Sequence, residues 1–244
     1  MPVSMEKKRI SFLLYPFLLA KSYLYKNIIG PLIYRKRDDY DAERFWRDRF
    51  TRYHLSLRGA GNVNLTEEEN RNMYKNSAKI ILDLLKKINI DIVSAKVLEV
   101  GCGTGFYARL LYDHGLKDYC GLDITDVLFS ALKEILPSYK FVKGDITKEG
   151  IEGSFDLILM INVTEHIVNP QKLSIAMRNV DKCLVDEGIF IVGAIMRESK
   201  RHLFYVRYWS IDDIKKRLPE YELLALEPFQ NGYICAFKKI KLGA

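Results

Sequence analysis

Lys96-Val97-Leu98-Glu99-Val100-Gly101-Cys102-Gly103-Thr104-Gly105 is the stretch on which the reading of this chain turns. Its first five residues form a short apolar run of strand length. Glycines at 101, 103 and 105 then let the backbone turn tightly and approach a ligand closely. A helix that follows such a turn aims its N-terminus at that ligand. One glycine pattern is weak alone, because many nucleotide sites use one and a plain tight turn explains it equally.

Two acids downstream sharpen it. Asp123 ends the next apolar run, Tyr119–Ile124, where a carboxylate can accept hydrogen bonds from ribose hydroxyls. Asp145, in Gly144-Asp145-Ile146, follows the run Lys140–Val142 and can meet the exocyclic amine of an adenine. Three successive strand ends then frame one adenosine-sized crevice at the carboxyl edge of a sheet. Further runs at Phe155–Ile161 and Gly188–Ala194 alternate with helix-length connections, which predicts right-handed βαβ units and a parallel sheet. The end of the chain differs. Tyr221–Phe229 and Tyr233–Ile240 flank Gln230-Asn231-Gly232, and Asn-Gly predicts an antiparallel hairpin. Dinucleotide sites favour Gly-x-Gly-x-x-Gly, but position 106 is Phe106, so a nicotinamide oxidoreductase fits less well.

With Glu99-Val100-Gly101-Cys102-Gly103-Thr104-Gly105, Asp123, Asp145, Phe155-Asp156-Leu157-Ile158 and Leu184-Val185-Asp186-Glu187-Gly188 in place, residues 96–194 resemble the class I S-adenosylmethionine-dependent methyltransferases. The resemblance implies a doubly wound α/β fold: a mostly parallel, seven-stranded Rossmann-like sheet with a C-terminal antiparallel hairpin. It implies S-adenosyl-L-methionine as cofactor. By the same resemblance Gly101 and Gly103 contact its methionine part and Glu99 helps hold its amino group. Asp123 binds the ribose, Asp145 and Ile146 the adenine, and Asn162 lies near the sulfonium.

Methyl transfer from a sulfonium is an in-line displacement, so the protein's work is to align the acceptor and take its proton where the acceptor is an alcohol. The segment Asn162-Val163-Thr164-Glu165-His166-Ile167 follows the fourth apolar run, and His166 is the candidate general base, with an ordinary pKa of ~6.5. The alternative is a histidine that orders the loop. Glu165-His166 resembles a loop of quinone-biosynthesis O-methyltransferases. Some related enzymes have a metal-binding Glu-x-x-Glu-His there, but Asn162 takes the first position here, so no metal is expected. Beyond the fifth run, His202, Arg207 and Tyr208 lie where the resemblance places acceptor recognition. Arg207 and His202 suit a carboxylate or phosphate, and Tyr208 and Trp209 suit stacking on a ring.

Residues 1–65 lie outside the resemblance and are expected to form a helical extension to a methyltransferase domain over 66–244. Thr66 with Glu69 reads as a capping box that starts a helix running to about Lys87. The net charge of +7 belongs wholly to residues 1–60, which hold thirteen Lys/Arg against six Asp/Glu. The neutral body argues against a nucleic-acid partner, and the basic segment suits an anionic surface or substrate. The apolar run Ile10–Ala20 follows Lys7, Lys8 and Arg9, but Pro16 and Lys21 interrupt it before the ~20 residues of a membrane span. No cleavage pattern follows it. Residues 10–37 are therefore expected on an anionic membrane surface, on the core, or on a partner subunit. Trp46, Tyr53 and Tyr74 are candidates for a lid. Four cysteines without metal-ligand spacing fit reduced thiols and a cytoplasmic protein, with or without contact to the inner face of a membrane.

These residues predict O-methylation of a small-molecule, glycan or lipid-linked acceptor. N-methylation of an amino sugar or small amine, and an inactive cofactor-binding module, are the alternatives. The oligomeric state is not legible in the sequence.

Overall fold

The computed structural model describes residue 20 and residues 23–241; the basic start and most of the apolar run 10–20 lie outside the described residues. Seven strands form one sheet: β1 (Lys96–Val100), β2 (Asp118–Asp123), β3 (Lys140–Lys143), β4 (Phe155–Ile161), β5 (Leu184–Ile195), β6 (Tyr221–Phe229) and β7 (Gly232–Lys239). Their order is β6-β7-β5-β4-β1-β2-β3. Strands β1 to β5 pair in parallel, and β7 is antiparallel to both β5 and β6. The order reverses between β1 and β4, so a crevice opens beyond their carboxyl ends.

Helices cover both faces, and the residue pattern shows why. Along β1, β4 and β5, successive side chains enter opposite cores: Val97, Leu157, Leu159, Ile189 and Ile191 one, Leu98, Ile158, Met160, Phe190 and Val192 the other. Strands buried on both faces read as continuous apolar runs. The first core is closed by α2 (Glu67–Lys87), α3 (Phe106–Asp113) and α4 (Phe129–Ile135), through residues such as Leu84, Leu111 and Leu132. The second is closed by α5 (Pro170–Cys183) and the short α6 (Ile211–Lys215), through Leu173, Met177 and Ile214. Thr66 and Glu69 form the expected capping box at the start of α2.

The extension is not a free arm. A ribbon pairs Arg35–Lys36 with Asp39–Tyr40, and α1 (Ala42–Tyr53) follows, capped by Asp41, whose carboxylate accepts from the Arg44 amide. Phe50 and Leu57 join the first core. Tyr34, Tyr40 and Phe45 form a third, aromatic cluster with Phe204 and Tyr205, in which the Phe45 ring meets Tyr34, Tyr40 and Phe204 edge-on. Those partners belong to a second ribbon, Lys200–Leu203 with Val206–Tyr208. Among the described residues no helix is long and apolar enough to cross a membrane.

Two local expectations change. The hairpin turns on Gln230-Asn231, with Gln230 at φ +51°, and Gly232 already pairs with Phe229. Gly232 is needed for a close approach instead: a Cβ there would lie 2.3 Å from the Ile195 carbonyl oxygen. The stretch Leu184–Gly188, ahead of the fifth apolar run, belongs to β5 as a bulge, where pairing jumps from Phe155↔Leu184 to Leu157↔Ile189 and Glu187 takes φ +63°.

Candidate active site

The crevice beyond β1 and β4 holds about 1050 Å³ of empty space including its open mouth. Its floor is the glycine loop. Gly101, Gly103 and Gly105 take φ of +76°, +47° and +73°. A Cβ on Gly101 would come within 2.3 Å of the Val163 side chain, so only glycine leaves this floor open. The amides of Gly101 and Cys102 donate to the Leu122 carbonyl at 2.7 and 3.1 Å, tying the loop to β2.

Asp123 completes that tie. Its carboxylate accepts from the Gly103 amide at 2.9 Å and the Thr125 amide at 3.1 Å. Burial pushes its pKa up to about 6 against the pull of those amides. Each oxygen keeps a lone pair for a further donor. Glu99, one strand inward, accepts from the Tyr119 hydroxyl, and burial raises it to about 8, so it is neutral at pH 7 in the empty crevice. Asp145 is half-buried. Burial raises its pKa, but the Thr147 hydroxyl and amide at 2.6 and 2.9 Å and Lys148 at 3.0 Å outweigh that and leave it below the usual range. Ile146 is buried beside it.

The opposite wall is the 162–167 turn. Asn162 takes φ +56°, and its amide donates to the Gly193 carbonyl at 2.5 Å. Its side-chain Oδ1 and the Tyr107 hydroxyl are buried without a partner, and both residues line the crevice. His166 lines it too, with the Trp46 ring 4.8 Å away. Its Nδ1 lies 3.0 Å from the Tyr205 carbonyl. A carbonyl only accepts, so the hydrogen sits on Nδ1 and Nε2 keeps a free lone pair. An ordinary pKa is expected of His166 from its residue type alone. Burial, aided by the Arg49 charge and opposed by the Tyr205 bond, lowers it to about 4. Glu165 beside it has one carboxyl oxygen, Oε2, buried and unpartnered, and burial raises its pKa to about 8.

Every residue expected at the cofactor, and His166, thus lines one crevice. The expected acceptor residues do not. His202 and Arg207 line a separate groove behind Val168–Gln171, and Tyr208 stacks on His202 at 5.3 Å. Trp209 is buried and unable to stack on a ligand; its Nε1 donates to the Thr164 and Ile167 carbonyls at 3.1 and 3.0 Å. Of the lid candidates, Trp46 and Tyr74 line the crevice, while Tyr53 packs against Gly59.

Several wall residues escaped the sequence: Tyr40, Phe50, Ala60, Tyr107 and Val163. The Tyr40 hydroxyl donates to the His166 carbonyl at 3.1 Å. Arg49 is half-buried without a carboxylate partner among the described residues. Its guanidinium donates to the Gly59 and Gly61 carbonyls at 2.5 and 2.6 Å and lies over the Trp46 ring at 5.1 Å. It thereby holds Ala60 within 3.7 Å of where a Gly103 Cβ would stand. The four cysteines are buried and unpaired. No cluster of three or more His, Cys, Asp or Glu among the described residues suits a metal ion.

Residues 98–192 match the family described as "Methyltransferase domain". Over 113 residues the chain is 28% identical to the eEF1A lysine and N-terminal methyltransferase of Mus musculus, covering 44% of this chain and 15% of that one. Over 127 residues it is 28% identical to the ubiquinone biosynthesis O-methyltransferase of Rickettsia bellii, covering 50% of this chain and 51% of that protein. The chain therefore spans about half or less of these relatives. Among solved structures, magnesium protoporphyrin IX methyltransferase from Synechocystis PCC 6803 superposes with a TM-score of 0.62 at 18% identity, over 82% of this chain and 97% of that one.

Proposed function

We infer from a chain that carries a class I S-adenosylmethionine-dependent methyltransferase domain that it binds S-adenosyl-L-methionine in the crevice and methylates an oxygen of a small-molecule, glycan or lipid-linked acceptor. The fit of the cofactor rests on the open glycine floor, on Asp123 with lone pairs to spare, and on the unpartnered Asn162 Oδ1 and Tyr107 hydroxyl. The cofactor supplies an electrophilic methyl on a sulfonium. Glu99 would face its amino group; an ammonium beside that carboxyl draws it towards the ionised form. Asp123 would accept from the ribose, and Asp145 and Ile146 would line the adenine.

The observation that carries O-methylation is His166. With Nδ1 committed to Tyr205, Nε2 is the proton acceptor. His166 Nε2 would take the hydroxyl proton, while the bound cofactor would supply the methyl to the acceptor oxygen and retain the displaced sulfur as a neutral thioether. N-methylation stays as the second reading, because a histidine held near 4 is a weak base and an amine needs little proton removal.

We take residues 1–65 as the extension and 66–244 as the domain, with Trp46 and Phe50 closing one wall. We place the protein in the cytoplasm, touching the inner face of a membrane through residues 10–37. The apolar face at residues 23–33 supports that contact.

Calorimetric titration with S-adenosylmethionine and S-adenosylhomocysteine, beside NADH, tests the cofactor. Micromolar binding of both adenosyl ligands and none of NADH is expected. Folded protein that binds neither removes the methyltransferase reading. With an acceptor found by a labelled-methyl screen, His166→Ala should lower kcat by about a hundredfold if the group is a base for an alcohol. A loss under threefold would favour the amine.

A further inference from the structure

The groove that takes up His202 and Arg207 is a site in its own right. It lies between the 35–40 ribbon, the 168–171 segment and the 200–208 ribbon, and its charged lining is Lys26, Arg35, Arg37, Arg201 and Arg207 against Asp38 alone. Among the described residues none of these five cations forms an ion pair, although thirteen ion-pair contacts occur elsewhere. Arg201 spends its donors on the Leu203, Asp38, Val168 and Phe204 carbonyls, which fixes the groove's base. Arg207 lies over the Trp209 ring at 4.5 Å with its Nε buried and unpartnered. Burial, and after it the nearby Arg207 and Arg35 charges, lower the pKa of Arg201 against the opposing pull of Asp39 and Asp38. A fold that gathers five cations around one acid has left room for an outside anion.

The same groove is lined by Lys26, Asn27 and Pro31, from the helical segment before the first ribbon. That segment buries Gly30 and Tyr34, half-buries Tyr25, Lys26 and Pro31, and turns its other described residues outward. Tyr23, Ile28 and Leu32 are 69%, 49% and 81% exposed, and Leu24, Ile29 and Ile33 are exposed with them. Six large apolar side chains within eleven residues exceed what scattered surface apolar groups explain. The element thus offers apolar side chains to a medium and cations to a neighbouring anion. A bilayer interface supplies both. A second copy of this chain does not: it brings the same +7 charge.

We propose that this groove binds the phosphate of an anionic phospholipid headgroup while the exposed apolar side chains of residues 23–33 enter the bilayer beside it. The proposal rests on the membrane contact inferred above and assigns it a headgroup site. It brings the crevice mouth to the membrane surface, because Asp39, Tyr40 and Ile167 of the crevice wall adjoin Asp38 and Val168 of the groove. A lipid-linked acceptor would then arrive from the bilayer.

Co-sedimentation of the full chain with phosphatidylcholine vesicles, and with equimolar phosphatidylcholine–phosphatidylglycerol vesicles, tests it. The expected result is pelleting with the anionic vesicles only, weakened by salt. Arg35→Glu with Arg37→Glu, both on the exposed ribbon, should lower vesicle affinity by about tenfold or more. Leu32→Ser should lower it severalfold and keep the salt dependence. Circular dichroism melts confirm that each variant is folded. Pelleting unchanged by the charge reversals would overturn the groove and keep the membrane. No pelleting with either vesicle would overturn both, as would a dimer broken by Leu32→Ser or binding of soluble glycerol phosphate without vesicle binding. Calorimetric binding of S-adenosylmethionine proceeds without vesicles, so failure here leaves the enzymatic reading untouched.

Discussion

The two walls of the crevice are built by different means. The cofactor wall is local: a strand, a glycine turn and an acid at the next strand end, with Gly103 and Asp123 joined by one 2.9 Å hydrogen bond. The acceptor wall is assembled from afar. His166 takes its tautomer from Tyr205, its backbone is held by Tyr40, and its turn is held by Trp209. The first wall places backbone where a ligand of fixed shape can meet it. The second places side chains through an aromatic cluster that other substitutions can reshape. If that division is real, lesions in the two walls should separate cofactor affinity from turnover.

The largest effect should come from Asp123→Ala. It removes the acceptor of the Gly103 and Thr125 amides together with the proposed ribose partner. Hydrogen bonds to charged groups contribute about 1.5–3 kcal/mol each, so S-adenosylhomocysteine affinity should fall by about a hundredfold or more. Calorimetry reads this directly. A drop under tenfold would mean that the glycine loop holds its shape without the acid, and the cofactor wall would not be the local unit described.

Next in size is Arg49→Met. It leaves the Gly59 and Gly61 carbonyls without their guanidinium partner and slackens the loop that carries Ala60. A buried carbonyl left unpaired costs about 1–3 kcal/mol, so denaturant unfolding should show a loss of about 2 kcal/mol. An unchanged midpoint would show that water replaces the guanidinium and that the extension's hold on the crevice is weaker than its contacts imply.

Proton linkage gives a smaller effect and separates the walls by sign. Asp123 sits near 6 in the empty crevice and must be ionised to accept from ribose. Affinity should therefore fall by at least about tenfold from pH 7 to pH 5, and Asp123→Asn should reduce the dependence to the share that Glu99 carries. Stability of the empty protein runs the other way. Glu99 and Glu165, raised to about 8 by burial, hold protons that the unfolded chain has released. Their contribution is fully present below the unfolded pKa and is lost as pH rises through 8. Melting temperature should decline from pH 6.5 to 8.5, a window above the region where protonation of His166, held near 4, would itself destabilise the fold. A flat profile would mean that water enters the crevice and relieves both carboxyls.

The same division explains what could be read from the sequence. β1, the glycine loop, Asp123 and Asp145 follow from local spacing, because a strand end and a tight turn are written within ten residues. The parallel pairing followed from alternation of runs, and the capping box at Thr66 from four residues. What stayed hidden depends on contacts between segments far apart in the chain. Nothing near Arg207 or His202 says that the 200–208 segment folds back as a ribbon onto Tyr34, Tyr40 and Phe45, facing them away from the crevice. Trp209 looked like a stacking ring because aromatic residues in a basic loop look alike whether they face a ligand or the core. Gly232 was read as a turn residue, whereas the Ile195 carbonyl that demands it lies on another strand.

The smallest and most discriminating effect belongs to Trp209→Phe. The ring stays apolar and nearly fills its place between the Arg207 and Arg217 guanidinium groups, but the indole N–H is gone. The Thr164 and Ile167 carbonyls lose their shared donor, and the turn that carries His166 loosens. Trp209 lines neither the crevice nor the groove, so it acts only as a positioning residue. Turnover should fall about fivefold, near 1 kcal/mol, the net worth of one such hydrogen bond. S-adenosylhomocysteine affinity should stay within about twofold, since the glycine loop and Asp123 are not held by this ring. Equal losses in both would mean that the 162–167 turn supports the cofactor as much as the acceptor, through Asn162. In that case the two walls are one cooperative unit, and local legibility of the glycine loop would reflect its sequence signal and not its mechanical independence.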